Sequence, residues 1–282
     1  MTAFPTGPRG HAIIFPIGQH HIIMDSLFKK KDLRVTVVGR NLDDIVPLIR
    51  LHPVALVEEE PDLVISHGGD GSLLGAELCF PGIPKCPIRD RRQNPKCQKH
   101  SEMTTLAKLF NGELKKSYLE KLEAVTENGD RLCALNDIVL TRQLASSAVR
   151  YRIWIDGELF RGQVVADGLV VTTPFGSTGY YQSITRGNIR TGIGLAFNNA
   201  MDLLGHTVIH GEARLTIQLL RGPAVMVADN NPRHIELDTG AMIQVHVLPE
   251  RTPVYGVDVF RCLECYHLRK DGVVDACACA RP

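Results

Sequence analysis

His67-Gly68-Gly69-Asp70-Gly71-Ser72 sets one carboxylate inside a run of glycines. Glycines let a backbone approach a phosphate closely and aim N–H groups at it. An aspartate there would repel phosphate if it only pointed at it. Its better use is as a general base, aimed at a hydroxyl beside the phosphates. The competing structural reading is a tight turn whose aspartate caps the next helix. Downstream, residues 167–180 read Asp-Gly-Leu-Val-Val-Thr-Thr-Pro-Phe-Gly-Ser-Thr-Gly-Tyr. Thr172, Thr173, Ser177, Thr178 and Ser183 supply hydroxyls, and Pro174 and Gly176 force a turn after a strand. Tyr180 and Tyr181 offer flat faces to a base or sugar ring. Between the two segments, Asn136-Asp137 interrupts an apolar run. Burying such groups alone costs on the order of 1–3 kcal/mol, so each other, the backbone or a ligand must satisfy them. Together the segments describe a site that holds phosphate and sugar groups and removes a proton.

The elements that must position these residues change character along the chain. Residues 11–17, 33–38 and 61–66 read as short buried strands, and 22–31 has helical spacing. Asn41 is a helix N-cap candidate, with Asp43 and Asp44 in the first turn where the dipole favours acids. The strand at 61–66 runs straight into the glycines, and a helix begins near Ser72. Strand, glycine turn and helix are how parallel α/β sheets bind phosphate. Residues 81–100 are rich in Pro, Arg, Lys and Cys and read as a loop. Helical or mixed patterns follow at 104–111 and 114–121. Beyond them β-like runs dominate, at 131–141, 149–155, 164–173, 213–219, 224–228 and 241–248. Asn128-Gly129 and Asp156-Gly157 are turn signals, the latter a strong hairpin signal. The expected architecture is an α/β domain with a parallel sheet over residues 1–115, a β-rich domain over 116–250 and a Cys-rich tail over 251–282.

The chain has 282 residues, a hydrophobic fraction of 44% and a formal net charge of +1. That balance argues against a protein that coats nucleic acid. No apolar run approaches the roughly 20 residues of a membrane helix, and Met1–Gly10 carries no secretory pattern, so a cytoplasmic protein without a membrane partner is expected. Of eight cysteines, Cys79 and Cys133 read as buried, inert thiols. Cys262, Cys265, Cys277 and Cys279 are spaced closely enough for a four-thiolate zinc site, with a disordered, reduced tail as the alternative. Cys86, Cys97 and His100 form a looser three-ligand set. Arg89, Arg91 and Arg92 read as a solvated basic loop, with reach to donor phosphates as the other reading.

The three glycine- and hydroxyl-bearing segments resemble those of the NAD kinase family. That family carries Gly-Gly-Asp-Gly-Thr, then Asn-Glu, then Asp-Gly followed by Thr-Pro-Thr-Gly-Ser-Thr-Ala-Tyr. Here they stand in the same order as Gly68–Ser72, Asn136-Asp137 and Asp167–Tyr180. The resemblance covers roughly residues 60 to 250. It implies phosphoryl transfer from ATP, with Mg²⁺, to the adenosine 2′-hydroxyl of NAD, giving NADP. It also implies an α/β domain followed by a β-rich domain, assembled as a homodimer or homotetramer. By position, Asp70 matches the catalytic base, with Gly68, Gly69, Gly71 and Ser72 as the phosphate cradle. Asn136 and Asp137 match the pair that contacts the NAD sugar and base, while Asp167, Thr178, Gly179, Tyr180 and Ser183 match dinucleotide contacts. Departures are Ser72 for Thr, Asp137 for Glu, Phe175 for Thr or Ser, Gly179 for Ala and Asp229-Asn230 for Asp-Gly. Residues 86–100 and 198–211 also depart from the family's usual segments. Phe175 and Gly179 are expected to reshape the acceptor wall, leaving NAD, NADH or another nucleoside-containing acceptor open, and ATP or polyphosphate as donor. A lipid kinase sharing the glycine turn and a non-catalytic dinucleotide-binding regulator are the rival readings.

Overall fold

The structure is a computed structural model and describes residues 25–92, 98–202 and 204–270. The strand expected at 11–17 and the thiols Cys97, Cys277 and Cys279 lie outside the described residues. The N-terminal part alternates strand and helix. Strands β1 (Leu33–Gly39), β2 (Val54–Leu56), β3 (Leu63–His67) and β4 (Lys85–Ile88) pair in parallel. Helices α1 (Leu42–Ile49), α2 (Asp70–Cys79) and α3 (Glu102–Phe110) connect or follow them. Ile45 and Ile49 of α1 and Leu106 and Leu109 of α3 pack with Val35, Ile65 and Ile88 of the sheet. Helix α2 takes Leu73 and Leu74 into a separate cluster. Covered on both faces, β3 is buried at every residue, which fits its opening apolar run Leu63-Val64-Ile65.

Strand β4 lies inside the segment that reads as a loop. Its first residue, Lys85, is fully buried. The ammonium donates to the carbonyls of Phe80 (2.6 Å) and Ile83 (2.7 Å) and pairs with Glu77. A buried charge satisfied in this way has no apolar signal in the sequence. Asn41 does precede α1, but in a left-handed conformation and without a side-chain cap bond. Its amide donates instead to Asp90 at 2.7 Å.

After β5 (Lys116–Leu119) the chain builds two antiparallel sheets. One takes β6 (Leu122–Thr126), β7 (Arg131–Ala134), β9 (Val149–Ile155), β10 (Glu158–Ala166), β14 (Leu215–Arg221) and β17 (Met242–Val247). The other takes β8 (Asp137–Arg142), β11 (Gly168–Thr172), β12 (Ile193–Asn198), β13 (Thr207–Ile209), β15 (Ala224–Ala228) and β16 (His234–Leu237). Their inner faces share one core, in which Tyr151 and Ile153 of β9 meet Leu169 and Val171 of β11. Asp156-Gly157 turns β9 into β10, with φ of 52° and 85° as a two-residue hairpin requires. Helix α4 (Tyr180–Thr185) follows β11, and β18 (Thr252–Tyr255), α5 (Val257–Phe260) and α6 (Leu263–Lys270) close the described chain.

Strand β18 returns to the first sheet, whose order is β2-β1-β3-β4-β18-β5. Residues 116–119 and 252–255, expected in the β-rich part and in the tail, are therefore strands of the first sheet. The helical or mixed pattern at 114–121 resolves as β5 because β18 supplies an antiparallel partner there. Two expected buried thiols, Cys79 and Cys133, are exposed, since each lies on the outer side of its element. Among the described residues the buried thiols are Cys265 and Cys86, the latter in β4, where burial pushes its pKa up to about 12. No helix among the described residues is long and apolar enough to cross a membrane.

Candidate active site

Asp70 is the first residue of α2, directly after β3 and the glycines. Its carboxylate thus sits at the positive end of the helix dipole. Gly68 has φ 144°, and a Cβ there would lie 2.2 Å from Ser72 Oγ, so only glycine fits. Two arginines grip the carboxylate: Arg89 Nη2 donates to Oδ2 at 3.2 Å and Arg261 Nη2 to Oδ1 at 3.3 Å. Burial works to raise the Asp70 pKa, but the two guanidinium groups outweigh it and hold the carboxyl below its ordinary value.

Neither arginine belongs to a solvated basic loop. Arg89 is buried, donates to the Phe260 carbonyl at 3.0 Å and stacks on the Phe260 ring at 3.9 Å. Arg261 donates to the Phe175 carbonyl at 2.6 Å and lies 3.5 Å over the Phe175 ring. Only Arg91 and Arg92 follow the surface expectation, pairing with Glu102 and Asp44 at 2.8 and 2.6 Å. Phe175 itself is buried with Leu73, Leu135, Val254 and Phe260, between the first sheet and the sandwich. Its ring supports Arg261 over Asp70.

Asp70 and Arg89 line two clefts at once. One, of about 670 Å³, opens over Gly39, Arg40, Gly69, Gly71 and Ser72. The other, of about 310 Å³, opens over Thr178, Gln182, Asn188 and Arg261. Asn230 ties the sandwich to the glycine turn by donating to the Gly71 carbonyl at 3.0 Å. The carboxylate thus stands between a glycine-lined pocket and a hydroxyl- and amide-lined pocket.

The downstream turn is built by close backbone contact. A Cβ on Gly176 would lie 2.2 Å from the Asn136 carbonyl oxygen. Thr172 and Thr173 donate to the carbonyls of Asn136 (3.0 Å) and Leu135 (2.5 Å). These hydroxyls hold the turn rather than face solvent. The Asp229 carboxylate accepts N–H bonds from Leu135, Asn136 and Asp137 at 2.8, 2.8 and 3.1 Å. Burial, with Asp229 nearby, raises the Asp137 pKa to about 7. Burial also raises that of Asp229, against its three backbone donors. Asn136 Oδ1 is buried with no hydrogen-bond partner among the described residues.

A third group of expected residues forms around Asp167. Arg142 pairs with it at 3.2 Å, and Asn199 donates to it at 3.0 Å. Asn198 donates to the Tyr180 hydroxyl at 3.0 Å, and Ser183 donates to the Tyr180 carbonyl at 2.7 Å. Tyr180 is exposed, whereas Tyr181 is fully buried against Val139, Val170 and Ala196. Tyr181 is therefore a core residue and presents no face to a ligand. Gly179 follows Gly176 closely, and a Cβ there would come 3.2 Å from the Gly176 oxygen. The expected residues fall into three groups, joined by the turn from Thr172 to Tyr180. Arg261 and the roles of Asn230 and Asp229 escaped the sequence reading, where Asp229-Asn230 stood only as a departure from a family motif; Arg89 entered it only through the alternative of reach to donor phosphates.

Known proteins resemble this chain in sequence and in fold. Residues 135–256 match the sequence profile of the ATP-NAD kinase C-terminal domain. An NAD kinase of Coxiella burnetii is 34% identical over 139 residues, covering 45% of this chain and 45% of its own. The match thus spans about half the length of that relative. An NAD kinase of Hyphomonas neptunium is 28% identical over 218 residues, 69% of this chain and 79% of that relative. The fold is that of yeast NADH kinase complexed with NADH (TM-score 0.68, 18% identity, 80% of this chain and 83% of that one). It is also that of an Archaeoglobus fulgidus NAD kinase in complex with ATP (TM-score 0.66, 19% identity, 82% and 97%). The β-rich part thus resembles the ATP-NAD kinase C-terminal domain in sequence, and the chain shares the fold of these NAD and NADH kinases.

Proposed function

We propose that this chain transfers the γ-phosphoryl group of ATP to the adenosine 2′-hydroxyl of NAD. The observation that carries the reading is Asp70 on the wall shared by two clefts. ATP, arriving as its Mg²⁺ complex, lays its phosphates on the glycine side, where backbone N–H groups and the α2 dipole favour anions. The acceptor adenosine occupies the side of Thr178 and Gln182. Asp70 takes the 2′-hydroxyl proton, the oxygen attacks the γ-phosphorus, and the bond to ADP breaks. Held below its ordinary pKa, Asp70 is ionised at neutral pH and ready to accept that proton. Arg89 and Arg261 supply positive charge where the transferring group gathers negative charge. As phosphate draws the guanidinium groups, Asp70 Oδ1 and Oδ2 are released to the hydroxyl. Asn136 Oδ1 offers an acceptor to the amino or hydroxyl groups of the dinucleotide. Asp167, Gly179, Tyr180 and Ser183 complete the dinucleotide contacts, and a homodimer or homotetramer belongs to the same reading.

A coupled assay for NADP formation from NAD, ATP and Mg²⁺ tests this, with NADH and polyphosphate run in parallel. Asp70→Asn is expected to lower kcat by about 10²–10⁴-fold with NAD binding retained, the range typical of a lost general base. Full turnover in that variant would remove Asp70 from the mechanism. No product from any dinucleotide would overturn the acceptor assignment.

A further inference from the structure

We propose that His100, Cys262 and Cys265 are ligands of a zinc ion. The three residues come from segments far apart in sequence. His100 ends the turn Gln98–His100 before α3, while Cys262 and Cys265 flank the start of α6. Their ligand atoms all lie within 4.8 Å of one another. Cys265 Sγ is 3.6 Å from His100 Nδ1. Zinc–sulfur bonds of about 2.3 Å and zinc–nitrogen bonds of about 2.0–2.1 Å, set tetrahedrally, put ligand atoms roughly 3.6–3.8 Å apart. The sulfur–nitrogen separation is that of a tetrahedral edge. A thiol–imidazole hydrogen bond would account for this one pair but gives no reason for a second thiol to converge on it.

The donor set selects the metal. Two thiolates and an imidazole suit zinc, and hard cations such as Mg²⁺ and Ca²⁺ prefer oxygen. Cys262-Leu-Glu-Cys265 has the two-residue spacing that lets both sulfurs of a short segment reach one ion. In the sequence, Cys97 stands three residues before His100. The site differs from both cysteine sets that spacing alone brings forward. Cys86, grouped by sequence with His100, lies instead inside β4 with a raised pKa.

The position explains what an ion would do there. Cys262 follows Arg261, whose guanidinium reaches Asp70, and Phe260 stacks on Arg89. An ion shared between His100 and the two cysteines staples this segment to the loop before α3. It thereby fixes the backbone that presents Arg261 to the carboxylate. Such a site is structural, and its existence does not depend on which reaction Asp70 serves.

The test reads metal and not activity. The full chain, made without a histidine tag or chelators, is assayed by elemental analysis, and about one zinc per chain is expected. The double variant Cys262→Ser, Cys265→Ser is expected to lose it. Zinc stripped from the wild-type chain and replaced by Co²⁺ should give the intense visible absorption of tetrahedral thiolate coordination. That measurement uses the native sequence, so a folding defect in the variant cannot obscure the answer. Wild-type chain that carries no zinc and gives no cobalt–thiolate absorption overturns the proposal. Zinc kept at full stoichiometry by the double variant overturns it as well.

Discussion

Asp137 and Asp229 are two carboxyls buried beside each other, and their ionisation couples to folding. Burial first, and then Asp229, lifts Asp137 from an ordinary 3.8 to about 7. The folded chain therefore keeps a proton on Asp137 that the unfolded chain has released between pH 3.8 and about 7. Stability is highest at the acid end of that window and falls as pH rises through it. Asp229 is shifted in the same direction and adds to the same slope. Thermal melts are expected to show a lower Tm at about pH 8 than at about pH 5 from this pair, worth on the order of 1–3 kcal/mol. Asp137→Asn should flatten the slope. An unchanged slope in that variant would mean that Asp137 ionises normally. Asp70 behaves in the opposite sense, because Arg89 and Arg261 hold its carboxyl below the ordinary value.

At the scale of elements, the segment between β7 and β8 is a turn held by a remote carboxylate. Asp229, at the end of β15, takes the N–H groups of Leu135, Asn136 and Asp137. A buried N–H without an acceptor costs about 1–3 kcal/mol. Asp229→Ala is thus expected to lose on the order of 3 kcal/mol, after part of the cost is offset by relief of repulsion on Asp137. Asp229→Asn keeps one acceptor oxygen and should lose less. Urea denaturation measures both; a loss below about 1 kcal/mol for the alanine variant would show that water replaces the carboxylate. The strand–turn–helix around Asp70 was legible because its cause is local: apolar strand, glycines, then helix formers. The 135–137 segment was only partly legible. Its polar residues announced a need for partners, but the partner stands on another strand.

For the molecule as a whole, the decisive connection is the return of the chain to its first sheet. β18 lies between β4 and β5, and Val254 and Tyr255 are buried there. Phe260 then joins the cluster that α2 and Phe175 share. A chain ending at residue 250 would leave β4 and β5 without their common neighbour. It is expected to lose cooperative unfolding and to aggregate through the exposed strand edges. Size-exclusion chromatography and a thermal melt check this, and a monodisperse product with an unchanged Tm would contradict it.

The sequence by itself determined the parallel sheet followed by β-rich structure, and marked the three segments rich in glycine, amide and hydroxyl groups. Each of these rests on short-range signals: apolar periodicity, glycine turns and hydroxyl clusters. Only the tertiary structure decided which groups meet. Lys85 is charged yet forms a central strand, because two carbonyls and Glu77 satisfy it. Arg89 and Arg261 converge on Asp70 from 19 and 191 residues away in sequence, and the Phe175 ring supports one of them. His100 meets Cys262 and Cys265 although spacing grouped each with nearer thiols. Charged, aromatic and thiol side chains carry little propensity of their own. Lys85 finds its partners close by in sequence, whereas the return of β18 to the first sheet brings Arg261, Cys262 and Cys265 within reach of theirs.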